Sequence, residues 1–322
     1  KKYFVLLLFL IFCCATVNCR LIDYSNRISK DLFDNNAISA LTKDSKGFLW
    51  VATSSALVRF DGYSYLKVEG EGLDTLFSGR AAIYQLAFLS PETLWVCSSV
   101  GLFSYNIRTH HFEQQTGLGR VRVNSMKRGN DALYLNTSRG IVRYYPESKK
   151  IDRLFSLDKQ SLVSAAEDMH GGYWVSTNKF LLRLPSLSCM EEAFAKGETI
   201  PVDTIRKFST NHRILIDSLD IMWMWDKESL TTARVSAKGQ LEDMQSKSVE
   251  ITAIRLLSDN NVVLCKRGQG NEILYRDESG RTVDTEKVFA TLQYDDLANT
   301  KYFFIKSNLF FYRNLFKSSL QK

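Results

Sequence analysis

Residues 38–61 read ISALTKDSKGFLWVATSSALVRFD and carry the clearest signal of the fold. This stretch holds a short apolar run, an Asp-x-x-Gly turn, an aromatic residue followed by Val-Ala-Thr, and an alternating run. Partial copies of this unit follow around Trp95, Tyr134 and Trp174. Short strands that recur with a period of roughly 40 residues are typical of the blades of a β-propeller.

Weaker copies extend the series to the end of the chain. When one aromatic or apolar position is taken from each copy, consecutive positions lie 38 to 51 residues apart. The seven positions taken as equivalent are Trp50, Trp95, Tyr134, Trp174, Trp225, Val263 and Phe304. The sequence therefore predicts an all-β chain, a seven-bladed β-propeller of four-stranded antiparallel blades, within the ~4–8 blades usual for this architecture. A sandwich or a solenoid of strand pairs is the alternative.

Each repeat is interpreted as four strands. The turn from Asp44 to Gly47 joins the first two, because Asp at the first position and Gly at the fourth are favoured in type I turns. The large aromatic residue on the second strand is expected to pack between neighbouring blades. Trp223 and Trp225 lie in a degenerate fifth blade, where at least one ring is expected to be exposed. No helical periodicity is sustained after residue 20.

The N-terminus has the composition of an export signal. Two lysines precede the apolar run 3–12, and small or polar residues follow to position 19, a pattern that predicts a secretory signal peptide over residues 1–19. The apolar run is shorter than the ~20 residues needed to span a bilayer. Cleavage is expected near Cys19, with lipid attachment at this cysteine as the alternative. Residues 20–322 would then form one propeller, with residues 24–29 as a candidate outer strand for its last blade.

Charge and cysteine content narrow the function classes. The formal net charge is +7, and it would fall to +5 after loss of Lys1 and Lys2. Such modest basicity in an exported chain argues against nucleic acid as a partner.

Cys97 and Cys265 fall at the repeat position where a small residue is wanted, in blades that do not touch in a ring of seven. We expect buried, unpaired thiols rather than a disulfide.

The core Asp-x-x-Gly-x-Leu-Trp-Val-Ala-Thr of residues 44–53 resembles the two-component regulator propeller repeat. This repeat typifies the periplasmic sensor regions of hybrid two-component histidine kinases, chiefly in Bacteroidetes. The resemblance implies a periplasmic sensor propeller whose full-length relatives are anchored in the inner membrane. It also implies an oligosaccharide ligand derived from a polysaccharide, and partners that are further domains of the same sensor or a second protomer. The chain shows no kinase motif, so we expect an N-terminal fragment of a longer sensor or a stand-alone sensor.

Motifs for chemistry are not recognisable in the sequence. The four histidines lack the spacing of a zinc site, and no nucleophile elbow or phosphate loop is present. We therefore predict no catalytic residues, no metal site and no cofactor, and a chain that is not an enzyme. The histidines are interpreted as solvated surface residues.

Propeller topology indicates where a ligand would bind. The turns between second and third strands and the loops between blades share one face, and basic residues are concentrated there. The predicted ligand-binding residues are Arg80, Arg120, Arg122, Arg139, Lys179, Lys266 and Arg267. The turns of the opposite face hold Asp44, Glu92, Asp131, Asp168 and Asp259, together with Lys46. A concave surface of like charge sums its potential, so an acidic glycan or an acidic partner surface is the expected ligand.

Three functions are compatible with this interpretation. The first is a ligand-sensing propeller that passes a signal by conformational change. The second is a propeller-fold glycan lyase or hydrolase, which a cluster of acid, base and aromatic residues at the channel mouth would favour. The third is a protein-interaction scaffold, which a broad exposed apolar patch would favour.

Overall fold

The computed structural model describes residues 38–53, 55–61, 64–70, 73–77, 81–256, 260–266, 271–288, 301–305 and 308–312. These residues form six four-stranded antiparallel sheets and one two-stranded sheet. In each of the six sheets the strands follow one another in chain order, as expected for propeller blades. The all-β propeller fold is confirmed, with six complete blades rather than seven.

The first three blades are regular. Their strands are, for blade 1, β1 Ile38–Lys43, β2 Leu49–Thr53, β3 Leu57–Phe60 and β4 Tyr65–Lys67; for blade 2, β5 Ile83–Ser90, β6 Thr93–Ser98, β7 Gly101–Asn106 and β8 His111–Gln114; for blade 3, β9 Val123–Arg128, β10 Leu133–Thr137, β11 Gly140–Tyr144 and β12 Ile151–Ser156. A short helix α1, Leu73–Phe77, follows blade 1, and a 3₁₀ turn, Thr116–Leu118, follows blade 2.

The remaining blades include one helix between strands. Their strands are, for blade 4, β13 Leu162–Glu167, β14 Tyr173–Thr177, β15 Phe180–Leu184 and β16 Asp203–Lys207; for blade 5, β17 Arg213–Ile216, β18 Ile221–Trp225, β19 Ser229–Val235 and β20 Leu241–Ser248; for blade 6, β21 Ile251–Leu256, β22 Val262–Lys266, β23 Asn271–Arg276 and β24 Thr282–Val288. The helix α2, Leu187–Lys196, joins β15 to β16.

The seventh predicted repeat contributes a two-stranded sheet. Its strands are β25, Lys301–Ile305, and β26, Asn308–Tyr312. Strand β25 contacts β1, so the last sheet adjoins the first blade. The segments 1–19 and 24–29 lie outside the described residues.

Helix α2, the longer of the two α-helices in the described residues, was not expected, because the sequence shows no sustained helical periodicity after residue 20. Ser186 caps its start by accepting a hydrogen bond from the Cys189 amide, and Gly197 ends it in the left-handed conformation. Leu187 and Met190 are buried against the interface of blades 3 and 4. A helix of only ten residues gives a weak periodic signal, and its insertion explains the longest spacing in the repeat series.

Hydrophobic clusters lie between consecutive blades, which is what holds a propeller together. Trp50 of blade 1 packs against Phe88 and Tyr105 of blade 2, with ring centroids 5.5 and 5.9 Å apart. Trp95 of blade 2 contacts Tyr144 of blade 3 at 6.1 Å. The expectation that the repeated aromatic residues pack between blades is confirmed.

A buried aspartate fixes the indole ring in three of the blades. Asp44 Oδ2 accepts a hydrogen bond from Trp50 Nε1 at 2.9 Å, while its Oδ1 accepts the amides of Lys46 and Phe48. Asp168 holds Trp174 in the same way at 2.8 Å. The two turns close as predicted, by bonds from the fourth-residue amide to the aspartate carbonyl. Their aspartates are nevertheless not surface charges of the opposite face, because both are buried.

The third of these aspartates corrects the alignment of blade 5. Asp217 accepts a hydrogen bond from Trp223 Nε1 at 2.9 Å, so Trp223 and not Trp225 is the equivalent of Trp50. Trp225 occupies the position of the small residue Ala52, two places further along the strand. Both tryptophans are buried, and the expected exposed ring is wrong. The six-residue interval from Asp to Trp was visible in the sequence and would have located Trp223.

The two cysteines expected to be buried are buried. Cys97 and Cys265 are free and enclosed, each at the position that Ala52 takes in blade 1. Burial raises the pKa of the Cys97 thiol far above its ordinary value and that of Cys265 to about 11. Both therefore act as small apolar side chains.

Candidate functional site

The candidate site lies on the face formed by the turns between second and third strands. In blades 1 to 4 a hydroxyl side chain closes each of these turns by donating to the carbonyl three residues later, at 2.8 to 3.1 Å. The four residues are Thr53, Ser98, Thr137 and Thr177. This hydrogen bond gives these four blades the same compact turn, and the residues that follow the hydroxyl are held at the surface of the turn.

Backbone hydrogen bonds place the loops between blades beside these turns. The Ser138 amide donates to the Arg122 carbonyl, and the Leu162 amide donates to the Ser138 carbonyl. The Asn178 amide donates to the Ser161 carbonyl. The loops before blades 3 and 4 and the turns within them therefore form one continuous surface, which we call the loop face.

The structure brings four of the predicted ligand-binding residues onto this loop face. Arg120 and Arg122 precede blade 3, Arg139 is in its turn and Lys179 is in the turn of blade 4. Arg120, Arg139 and Lys179 are exposed, and none has a carboxylate partner within the described ranges. These three side chains are available to an acidic ligand.

Arg122 is engaged in holding two blades together. Its Nη2 donates to Ser161 Oγ at 3.1 Å and to the Leu162 carbonyl at 2.8 Å, both in the segment that begins blade 4. Asn124 Nδ2 donates to the same Leu162 carbonyl. The Nε of Arg122 is buried, with no partner among the described residues. Arg122 therefore ties blade 3 to blade 4 through hydrogen bonds, and its charge is not freely available to a ligand.

The remaining predicted ligand-binding residues differ in their surroundings. Lys266 forms an ion pair with Glu272 and is therefore already neutralised. Arg80 and Arg267 lie outside the described residues, as does Asp259 on the opposite face. Among the predicted ligand-binding residues that the structure describes, the exposed cations without an ion pair therefore lie on blades 3 and 4.

Blade 5 carries a polar cluster that the sequence did not reveal. Asp226 replaces the turn hydroxyl there, and its Oδ1 accepts the Ser229 amide at 2.7 Å. Its Oδ2 accepts a hydrogen bond from Thr210 and faces His212 Nε2 at 3.5 Å. The His212 imidazole also stacks on Phe208, with ring centroids 4.2 Å apart. The interpretation of all four histidines as solvated surface residues is therefore wrong for His212.

Hydrogen bonding keeps Asp226 ionised. Burial alone would raise the pKa of its carboxyl, but hydrogen bonds from Thr210, Glu228 and Ser229 lower it to about 2. The contacts of Thr210 and His212 with Asp226 hold the loop between blades 4 and 5 against the turn of blade 5. No group of residues suited to holding a metal ion is present in the described parts of the chain.

Comparison with known proteins agrees with this architecture. Residues 32–55 match the two component regulator propeller family, which confirms the resemblance predicted from this stretch. No curated protein is significantly similar in sequence to the chain. None of the helices in the described portion is both long and apolar enough to cross a membrane.

Solved structures with the same fold include extracellular domains of bacterial signalling systems and an enzyme. The extracellular domain of BT3049 from B. thetaiotaomicron, described as a hybrid two component system, is 18% identical with a TM-score of 0.62, covering 86% of this chain and 38% of that one. The extracellular domain of BT4673 from the same organism, described as a one component system, is 19% identical with a TM-score of 0.59, covering 80% and 34%. Virginiamycin B lyase from Staphylococcus aureus is 11% identical with a TM-score of 0.58, covering 86% and 92%.

These similarities establish the fold. The chain spans about a third of the length of the two B. thetaiotaomicron extracellular domains. It is a β-propeller that carries a two component regulator propeller repeat.

Proposed function

We propose that the chain is the ligand-sensing propeller of an exported two-component sensor, and that an acidic oligosaccharide binds the loop face of blades 3 and 4. The observation that carries the proposal is the set of exposed, unpaired cations Arg120, Arg139 and Lys179 on adjoining loops. Carboxylate or sulfate groups of a glycan would neutralise them. The family match and the extracellular domain of a two component system with the same fold support the signalling role.

Binding would be transmitted through the ties between blades. A ligand that contacts the turns of blades 3 and 4 would alter the bonds of Arg122 to Ser161 and Leu162. A change in this packing would then shift a two-state equilibrium between the propeller and a further domain or a second protomer. In this proposal the chain is periplasmic, with residues 1–19 removed on export and residues 20–322 forming the propeller.

Calorimetric titration with acidic and neutral oligosaccharides tests the proposal. We expect uronic or sulfated oligosaccharides to bind and neutral ones of equal length to bind at least about tenfold more weakly. The double variant Arg139→Gln/Lys179→Gln should lose this preference. A matched control is Lys46→Gln/Lys238→Gln, which removes two exposed charges from turns of the opposite face. Equal affinity of both double variants for the acidic oligosaccharide would refute the assignment.

The same incubations distinguish a sensor from a glycan lyase or hydrolase. A sensor returns the oligosaccharide intact, whereas an enzyme releases shorter products that chromatography detects. Cleavage by the unmodified chain would replace the sensor proposal with the enzymatic one.

A further inference from the structure

A cleft of about 910 Å³ opens between blades 5 and 6, away from the loop face of blades 3 and 4. Its apolar lining includes Trp223, Leu230 and Leu264, which belong to the hydrophobic cluster between these two blades. Strand β20 flanks one side, and the strands β23 and β24 flank the other. Ligand pockets in proteins commonly enclose ~300–1,000 Å³, so the cleft is large enough for a small organic molecule.

The cleft exists because the outer strand of blade 5 does not fill the wedge, by which we mean the space that widens outwards between two neighbouring blades. Every residue of β20 after Leu241 is exposed, and most are polar or charged. The wedge between blades 3 and 4 is closed instead by helix α2, whose Glu191 accepts hydrogen bonds from Tyr134 at 2.5 Å and Arg143 at 2.7 Å. Blade 6 joins its third and fourth strands by a tight turn at residues 277–281, so no inserted helix covers the wedge between blades 5 and 6.

One end of the cleft is held rigid by contacts between the two blades. Arg276 of blade 6 forms a buried ion pair with Asp217 of blade 5 at 2.7 Å and lies over the Trp223 ring. Arg234 Nη2 donates to the Ser279 carbonyl across the same interface at 2.7 Å. The cleft is therefore formed before any ligand arrives, and binding needs no separation of the blades.

Charge in the cleft is predominantly positive. Four cationic and two acidic residues line it: Arg234, Lys247, Lys266, Arg281, Asp243 and Glu272. Lys266 and Glu272 neutralise each other, and Arg234 is occupied with backbone carbonyls. Lys247 and Arg281 are exposed, and neither forms an ion pair with a described residue.

We propose that this cleft is a second binding site, which takes an amphipathic organic anion. The apolar body would cover Val249 and Leu274, which are half-buried, and removing such surface from water is favourable by ~25 cal/mol per Å². The carboxylate or sulfonate group would lie at Lys247 or Arg281. A ligand in this position would touch the side chains that pack blade 5 against blade 6.

Three probes separate the contributions of charge and apolar body. Decanoate carries both, acetate carries only the charge, and decyltrimethylammonium carries the same chain with the opposite charge. Calorimetric titration of the whole chain should give saturable binding of decanoate, which weakens as salt concentration rises. Acetate should not bind measurably, and decyltrimethylammonium should bind at least about tenfold more weakly than decanoate.

Variants assign the binding to the cleft. Lys247→Gln/Arg281→Gln should weaken decanoate binding by about tenfold, as expected for two partly exposed charge contacts. Lys238→Gln/Lys227→Gln removes the same charge outside the cleft and should leave binding unchanged. Thr285→Trp, an exposed position on the β24 wall, should abolish binding by filling the space.

The proposal is overturned by any of three results: no saturable binding of decanoate, equal affinity for decyltrimethylammonium, or equal affinity of the two double variants. It is independent of the proposed sensing function, because the double variant of the cleft leaves Arg139 and Lys179 intact.

Discussion

Replacing Asp217 with asparagine should destabilise the propeller more than the same change at Asp168. The Asp217 carboxylate accepts hydrogen bonds from the amides of Leu219 and Ile221, from Trp223 Nε1 and from Arg276 Nη1. Both side chains of the ion pair are only 1% exposed. An asparagine would turn an NH₂ group towards two donors and leave the arginine charge buried without its counter-charge.

The expected loss in free energy of unfolding follows from the kind of interaction that each substitution removes. Removing one partner of a buried ion pair costs about 3–5 kcal/mol. Asp168 forms the equivalent bonds to Trp174 and the turn amides, but it has no ion-pair partner among the described residues. Asp168→Asn should therefore cost about 1–3 kcal/mol, the penalty for an unsatisfied buried donor. At about 2 °C per kcal/mol for a chain of this size, the midpoint should fall by about 6–10 °C for Asp217→Asn.

Thermal unfolding of both variants, followed by circular dichroism, gives the comparison. Adding Arg276→Met to Asp217→Asn should recover part of the loss, because it removes the uncompensated charge. The reasoning is refuted if Asp217→Asn is no less stable than Asp168→Asn, or if the double variant is less stable than Asp217→Asn alone.

Two further predictions concern the hydrogen bonds of single blades. Trp50→Phe should destabilise the chain by about 1–3 kcal/mol more than Trp95→Phe in urea unfolding, because only Trp50 leaves a buried aspartate without its donor. Equal losses would show that Asp44 contributes nothing through the indole. The folded-state pKa of Asp226, about 2, is below its ordinary 3.8, so its stabilisation is present above about pH 4 and is lost as pH falls towards 2. The difference in unfolding temperature between the natural chain and Asp226→Asn should shrink between pH 5 and pH 2.5, while Asp131→Asn, at an exposed position, should show no such trend.

The candidate site was only partly readable from the sequence. The basic loop residues could be placed on one face because propeller topology fixes which loops adjoin. The sequence could not show which of these side chains are free to bind a ligand, because that depends on the partners they meet in the folded chain. Arg122 donates hydrogen bonds to Ser161 and Leu162, and Lys266 forms an ion pair with Glu272. The Asp226 cluster was missed because Thr210, His212 and Asp226 meet only when the loop before blade 5 folds onto its turn.

The blade could be predicted from local sequence, because strand alternation, the Asp-to-Gly turn and the repeated aromatic position recur along the chain. The sequence also predicted the buried cysteines from their place in the repeat. Which polar groups are buried depends on the packing of the folded chain: Asp44 and Asp168 were predicted to be surface charges, yet each is buried and accepts a hydrogen bond from an indole ring. The same packing decides where the wedge between two blades stays open. Both outcomes depend on contacts between side chains far apart in sequence, for which a local pattern carries no signal.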